Sequence, residues 1–436
     1  MLLITIAVFL LNREKIEKRL LKNISFKITN LLQTTVQISD VDFKYNGDLM
    51  INNFIIFDHK NDTLIYADKI TTSILTPTNI LTSNTKLSSL DLSNGVIKII
   101  KHPGDSLTNF EVFITKVKQD NNTEIKDFSL ELKNLILNDF RIDLLNKSTL
   151  SNQLNGFNLT VYDLKYLKSQ TSLSIENVSY TDLYGLRLDD FYSKITYNQS
   201  GFNMSDFIIS STNSKLKGSL SISDINKKGY ADSNIKLNIL DSKISTNEIN
   251  LYYNSLIIDE SIEFTTFLNG SFNNTLNGRL DFQYGKNTKA KINFSIKDIF
   301  GEIKVNTVLE DFYTNYNDLK TLPVLKKYQI PDFLISTEFI SINGICDYKN
   351  GLISNKYAVD TDFGELILDI NLIDFRIKTK ESKFYGTVKF NEFLFRDLNL
   401  FSSTIRTSAS FILDGSIYSG QPLNTSVSGA VSDLSI

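Results

Sequence analysis

From Gln33 onward the dominant period of the chain is two, and a chain with that spacing hides its apolar residues only by forming half-buried β-strands. Phe128, Leu130, Leu132, Ile136, Phe140, Ile142 and Leu144 fall on one parity, while Ser129, Glu131, Lys133, Asp139, Arg141 and Asp143 fall on the other. The pattern returns in Leu216, Leu220 and Ile222 against Lys215, Lys217 and Ser219, and in Ile235, Leu237 and Ile239 against Asn234, Lys236 and Asn238. It returns again in Ile292, Phe294 and Ile296 against Lys291, Asn293 and Ser295. These apolar sets are the candidate lining of one continuous wall, and the polar sets its wet side.

Asn46-Gly47-Asp48, Asn94-Gly95, Asn269-Gly270, Asn277-Gly278 and Lys349-Asn350-Gly351 read as turns between such strands. The intervals carry no sign of crossover helices, which predicts antiparallel pairing. The clearest interior helical stretch is 316–334, broken by Pro323 and Pro331. A chain of 436 residues is too long for one ordinary core. A string of sandwich domains would need linkers rich in Pro, Gly or Ser, and none stands out between Gln33 and Asn315. The predicted fold is therefore mainly β: an elongated antiparallel sheet curled lengthwise into an apolar groove. It would run over 35–315, resume over 335–436, and be interrupted by a helical insertion at 316–334.

Leu2 to Leu11 is apolar except for Thr5, about half of the ~20 residues that a helix needs to cross a bilayer. Residues 1–11 read as a truncated membrane anchor, since neither a basic region before the run nor a small-residue cleavage site after it marks a signal peptide. Over 12–34, Ile16, Leu20, Ile24, Ile28 and Leu32 recur every four residues, the pattern of an amphipathic helix. Its other face carries Arg13, Lys15, Lys18, Arg19, Lys22 and Lys27, suited to anionic headgroups. The same helix could equally plug one end of a β-core. Basic residues just after the apolar run favour a cytoplasmic side for them.

The net charge of -3 is spread through the chain, so nucleic acid is not an expected partner. Cys346 is the lone cysteine and forms neither a disulfide within the chain nor a thiolate cage. His59 and His102 lie in turn-like contexts and read as solvated. Asp189-Asp190 and Asp259-Glu260 are adjacent pairs whose side chains would diverge on a strand. No catalytic, cofactor or metal constellation is expected, and the chain does not read as an enzyme.

The apolar run, the amphipathic helix, Val36 to Phe43, Asn52 to Asp58 and above all Asp62-Thr63-Leu64-Ile65-Tyr66-Ala67 resemble the N-terminus of TamB proteins, of the AsmA-like group, as found in Bacteroidetes. Leu319 to Pro323, Thr361 to Leu366, Tyr385 to Val388 and Phe393 to Phe395 resemble later segments of that family, the last two only approximately. The resemblance implies a single-pass inner-membrane anchor and a periplasmic body whose groove conducts phospholipid acyl chains between inner and outer membranes. It also implies an outer-membrane barrel partner, met through a C-terminal region that this sequence lacks. The same family suggests an alternative role in translocating and inserting outer-membrane proteins, by offering strand edges. The basic residues after the anchor run counter to a periplasmic body.

Overall fold

The computed structural model describes residues 21–22, 24–26, 28–30, 32–44, 48–73, 84–119, 129–146, 149–167, 170–225, 231–252, 261–320, 337–373, 382–395, 405–417 and 424–435. They are mainly β, and the chain divides into two compact units, Met1–Thr212 and Asn213–Ile436. Among the described residues no helix is long and apolar enough to cross a membrane. The anchor expected at 1–11 lies outside them.

Unit 1 runs β1 (Val36–Phe43), β2 (Asp48–Phe57), β3 (Thr63–Ser73), β4 (Asn84–Lys101), α1 (Asn109–Gln119), β5 (Ser129–Asn146), β6 (Thr149–Leu167), β7 (Gln170–Asp182), β8 (Arg187–Asn198) and β9 (Gly201–Ser211). Neighbours in sequence pair antiparallel, with one exception: β4 and β5 run parallel. This corrects the expectation of purely antiparallel pairing. The connection from β4 to β5 contains α1, the crossover helix that a parallel pair requires.

A helix start was written in the sequence there. The Thr108 hydroxyl accepts from the Glu111 N–H at 3.2 Å, and the Glu111 carboxylate accepts from the Thr108 N–H at 2.7 Å. That reciprocal pair is a capping box.

The core of unit 1 sits on one face of β1–β5. Val41, Ile51, Ile70, Leu92 and Leu137 are paired across these strands in one row. Ile38, Phe54, Ala67, Gly95 and Phe140 are paired in a second. Both rows contribute to the same buried cluster, yet in each strand they are three residues apart rather than two. Between them one residue of each strand drops out of the pairing while the register continues unbroken, and three of these, Asn53, Asn94 and Asp139, take φ 51, 52 and 54. Asn and Asp tolerate this left-handed conformation better than other non-glycine residues.

The described part of 21–32 is helical, with Ile24 in the core and Leu21, Ile28 and Leu32 packed against it. Residues 12–20 of the expected amphipathic helix lie outside the described residues.

Unit 2 runs β10 (Lys215–Ser223), β11 (Asn234–Ser245), α2 (Thr246–Asn250), β12 (Ser261–Gly270), β13 (Thr275–Tyr284), β14 (Thr288–Lys297), β15 (Lys304–Thr314) and α3 (Tyr316–Leu319). It continues through β16 (Ile340–Lys349), β17 (Leu352–Thr361), β18 (Gly364–Ile373), β19 (Ser382–Phe395), β20 (Ile405–Ile417) and β21 (Asn424–Ser435). Each strand pairs antiparallel with the next, and no pairing among the described residues joins β21 back to β10. The sheet is open.

Of the helical stretch expected at 316–334, α3 is one turn, and 321–336 lies outside the described residues. Lys349-Asn350-Gly351 makes the expected turn, with Asn350 and Gly351 at φ 49 and 84. Asn94-Gly95 and Asn277-Gly278 instead lie inside β4 and β13, and Asn269-Gly270 closes β12. Asn46-Gly47 lies outside the described residues.

Candidate functional site

Two features of the described residues rise above scaffold: a continuous apolar face in unit 2 and a polar cluster in unit 1. The first follows from register. Directly paired residues project to the same side of a sheet, so a chain of pairings traces one face. Gly218, Ile239, Thr266, Leu280, Ile292 and Leu309 are paired in succession from β10 to β15. The row continues through Gly344, Tyr357, Leu368, Val388, Phe411 and Gly429 to β21.

Beside it runs Leu220, Leu237, Leu268, Gly278, Phe294. Next come Ile222, Ile235, Gly270, Leu276, Ile296, Val305. The opposite face reads Lys236, Asn269, Asn277, Ser295, Asn306, Asp347 in the same way. The Asn306 amide donates to the Asp347 carboxylate at 2.6 Å on that wet side.

The structure thus brings Leu220, Ile222, Ile235, Leu237, Ile239, Ile292, Phe294 and Ile296 onto one face, while Leu216 lies where the β10–β11 register shifts between Lys215 and Gly218. Ile235 is buried and the others are half-buried. Packing in unit 2 is between neighbouring strands, with α2 against β11, and no second layer covers this face among the described residues. The glycines let aromatic rings lie down on the sheet. A Cβ at Gly278 would overlap the ring of Phe294, and one at Gly429 the ring of Phe411.

The expected lining in unit 1 does not hold together. Phe128 lies outside the described residues. Leu130 and Leu132 precede a break in the pairing at Lys133, opposite the left-handed Asp163, and Ile136 is separated from Phe140, Ile142 and Leu144 by the left-handed Asp139, where the register with β6 shifts. The break at Asp139 sets Ile136, the neighbour of core-facing Leu137, on the face opposite Phe140, while Leu132 and Phe140 are both buried, at 3 % and 1 % exposed. Simple alternation over Leu130 to Leu144 is therefore corrected: the strand is interrupted at Lys133, at the left-handed Asp139 and again after Phe140.

The polar cluster is formed where the β2–β3 turn meets the segment between β4 and α1. Asp58 accepts the N–H groups of Lys60 and Asp62 at 2.8 and 2.9 Å through Oδ1. Its Oδ2 lies 2.7 Å from His102 Nε2 and accepts from the Asn109 amide at 3.1 Å. Burial pushes the Asp58 carboxyl up, but the bonds from His102, Asn109, Lys60 and Asp62 outweigh it and hold it below its usual value.

His59 Nε2 lies 2.8 Å from Asp105 Oδ2, and the two imidazoles meet edge to face at 5.5 Å between centroids. The histidines expected to be solvated are instead 17 % and 11 % exposed and partnered. The fully buried Asn109 ties the cluster to β4 by accepting from the Ile100 N–H at 2.8 Å and donating to the Lys98 carbonyl at 3.1 Å.

Elsewhere, Asp189 and Asp190 lie within β8, not in a turn, and Arg187 pairs with Asp189 at 2.7 Å. Asp259-Glu260 lies outside the described residues. A cleft of about 560 Å³ on the wet side of unit 2 mixes Lys215, Lys217, Lys243, Lys289 and Lys291 with Asp241, Glu263, Asp281 and Asp311. The charges there nearly cancel. Searches against protein-family models, curated proteins and solved structures found no match to this chain.

Proposed function

We propose that this protein conducts phospholipid acyl chains along the apolar face of unit 2, curled into a groove, between the inner and outer membranes of a bacterial envelope. The body would be periplasmic, anchored to the inner membrane through its N-terminus, with an outer-membrane barrel as partner. The observation that carries the reading is the row from Gly218 to Gly429, which crosses from β10 to β21 without a charged residue. Each methylene removed from water gains ~0.8 kcal/mol, so a chain of about sixteen carbons that is half shielded gains on the order of 6 kcal/mol. An aqueous crossing has no such compensation. The headgroup stays in water, and no residue needs a special protonation state.

The test places a charge in the row. Ile292→Asp and Leu368→Asp should lower phospholipid co-purification, measured by native mass spectrometry, because the charge must be desolvated whenever an acyl chain passes, costing several kcal/mol. Asn371→Asp, on the opposite face, should leave it unchanged. Equal loss in all three, or full occupancy in the first two with circular dichroism intact, sinks the reading. An assembly factor working through strand edges would tolerate the charges and fail with edge prolines.

A further inference from the structure

The only two histidines of the chain, separated by more than forty residues, end in one cluster with Asp58, Asp62 and Asp105. Asp58 Oδ1 is already taken by two backbone N–H groups and its Oδ2 by an amide, so it meets His102 as an acceptor. An imidazole that gives Nε2–H to a buried carboxylate keeps its lone pair on Nδ1. That nitrogen faces Asp62 Oδ2 at 3.9 Å, too long for a hydrogen bond, and the Asp62 side chain is 61 % exposed.

A lone pair and a carboxylate facing each other across that gap are complementary to a cation. Metal–ligand bonds of ~2.0–2.2 Å would bring both atoms onto one ion with little movement. The candidate ligand atoms of Asp58, Asp62 and His102 all lie within 4.8 Å of one another. Independently, His59 Nδ1 is buried without a hydrogen-bond partner while its Nε2 is held by Asp105. Both imidazoles thus show a carboxylate behind one nitrogen and a lone pair offered by the other, the arrangement that orients metal-binding histidines.

We propose that this cluster binds one divalent transition-metal ion of the zinc class, with Asp62 and His102 Nδ1 as ligands, Asp58 as the carboxylate orienting the imidazole, and water completing the shell. An imidazole beside carboxylates favours zinc, nickel or cobalt over magnesium and calcium. The ion would clamp the β2–β3 turn to the segment that leads into α1.

The experiment is calorimetric titration of the full chain with zinc chloride, and separately with magnesium chloride. Wild type and Cys346→Ser should take up one zinc per chain. Asp62→Asn and His102→Gln should each weaken uptake at least tenfold, the range typical for loss of a group that holds or orients a metal. Asp62 is exposed, so its variant keeps the test meaningful even if His102→Gln unfolds. No saturable zinc uptake by wild type overturns the proposal and leaves a purely structural clamp. Uptake undiminished in Asp62→Asn, uptake lost in Cys346→Ser, or an equal response to magnesium overturns it as well.

Discussion

The ring of Phe140 on β5 lies over Gly95 on the parallel neighbour β4, so close that a methyl group at Gly95 would collide with the ring and with the Tyr66 carbonyl. This is the point where the core of unit 1 meets the line of residues that drop out of its pairing. Gly95→Ala should cost about 1–3 kcal/mol, the range for overpacking a tight interior, and thermal melting reads it directly. Combined with Phe140→Leu, the loss should be smaller than the sum of the two single changes, because both act on one contact. Strict additivity would mean that the ring does not hold this glycine.

Asp139 is the second subject. Its φ of 54 is tolerated by Asp and Gly but strained in a β-branched residue, and its N–H donates to the Asn158 side chain at 2.9 Å. Asp139→Gly should stay within about 1 kcal/mol of wild type, while Asp139→Val should lose a further ~1–2 kcal/mol. Chemical denaturation distinguishes them. Equal stability of the two variants would show that the bulge does not need this conformation.

Much of the sheet was legible because alternation is a local signal. The rows through Leu220, Leu237, Ile292 and Phe294 follow from parity alone, since their strands are regular at those positions. Parity fails across a bulge. Asn138-Asp139 looks like any polar pair in a string of letters, and only its backbone conformation shows that Ile136 and Phe140 part company. A repeated signature was nevertheless present: Asn53-Phe54, Asp139-Phe140, Asp206-Phe207 and Glu392-Phe393 all place a buried Phe after a residue with positive φ.

The helix α1 was also legible, in the Thr108-to-Glu111 spacing. The approach of His59 and His102 was not, because it depends on where the β4 strand ends beside the β2–β3 turn.

The third prediction concerns alkaline pH. Burial, with Cys346 alongside, pushes the Tyr357 phenol up to about 12, and burial likewise pushes the Cys346 thiol up. A phenol raised in the folded state contributes stability that is fully present below its ordinary value near 10 and lost as pH rises toward 12. Melting temperature should therefore fall between about pH 10 and 12, and less steeply in Tyr357→Phe. Burial also pushes the Tyr180 phenol up, so ultraviolet titration should show late-ionising phenols with one fewer in that variant. Cys346 should react with a thiol reagent at pH 8 more slowly than a free cysteine; reaction at the free rate would contradict its burial.

Strand order in unit 2 carries a consequence for how such a sheet changes length. Each strand from β11 to β20 pairs with its predecessor and successor in the chain, so a gene duplication or loss that adds or removes one whole hairpin leaves each remaining row in phase. It would lengthen or shorten the sheet by two strand spacings, roughly 10 Å. Loss of a single strand would reverse the direction of everything after it, and insertion of a single residue within a strand would turn its apolar letters outward. Selection can therefore tune span in hairpin quanta, much as a ladder is extended by whole sections, without redesigning any contact already made.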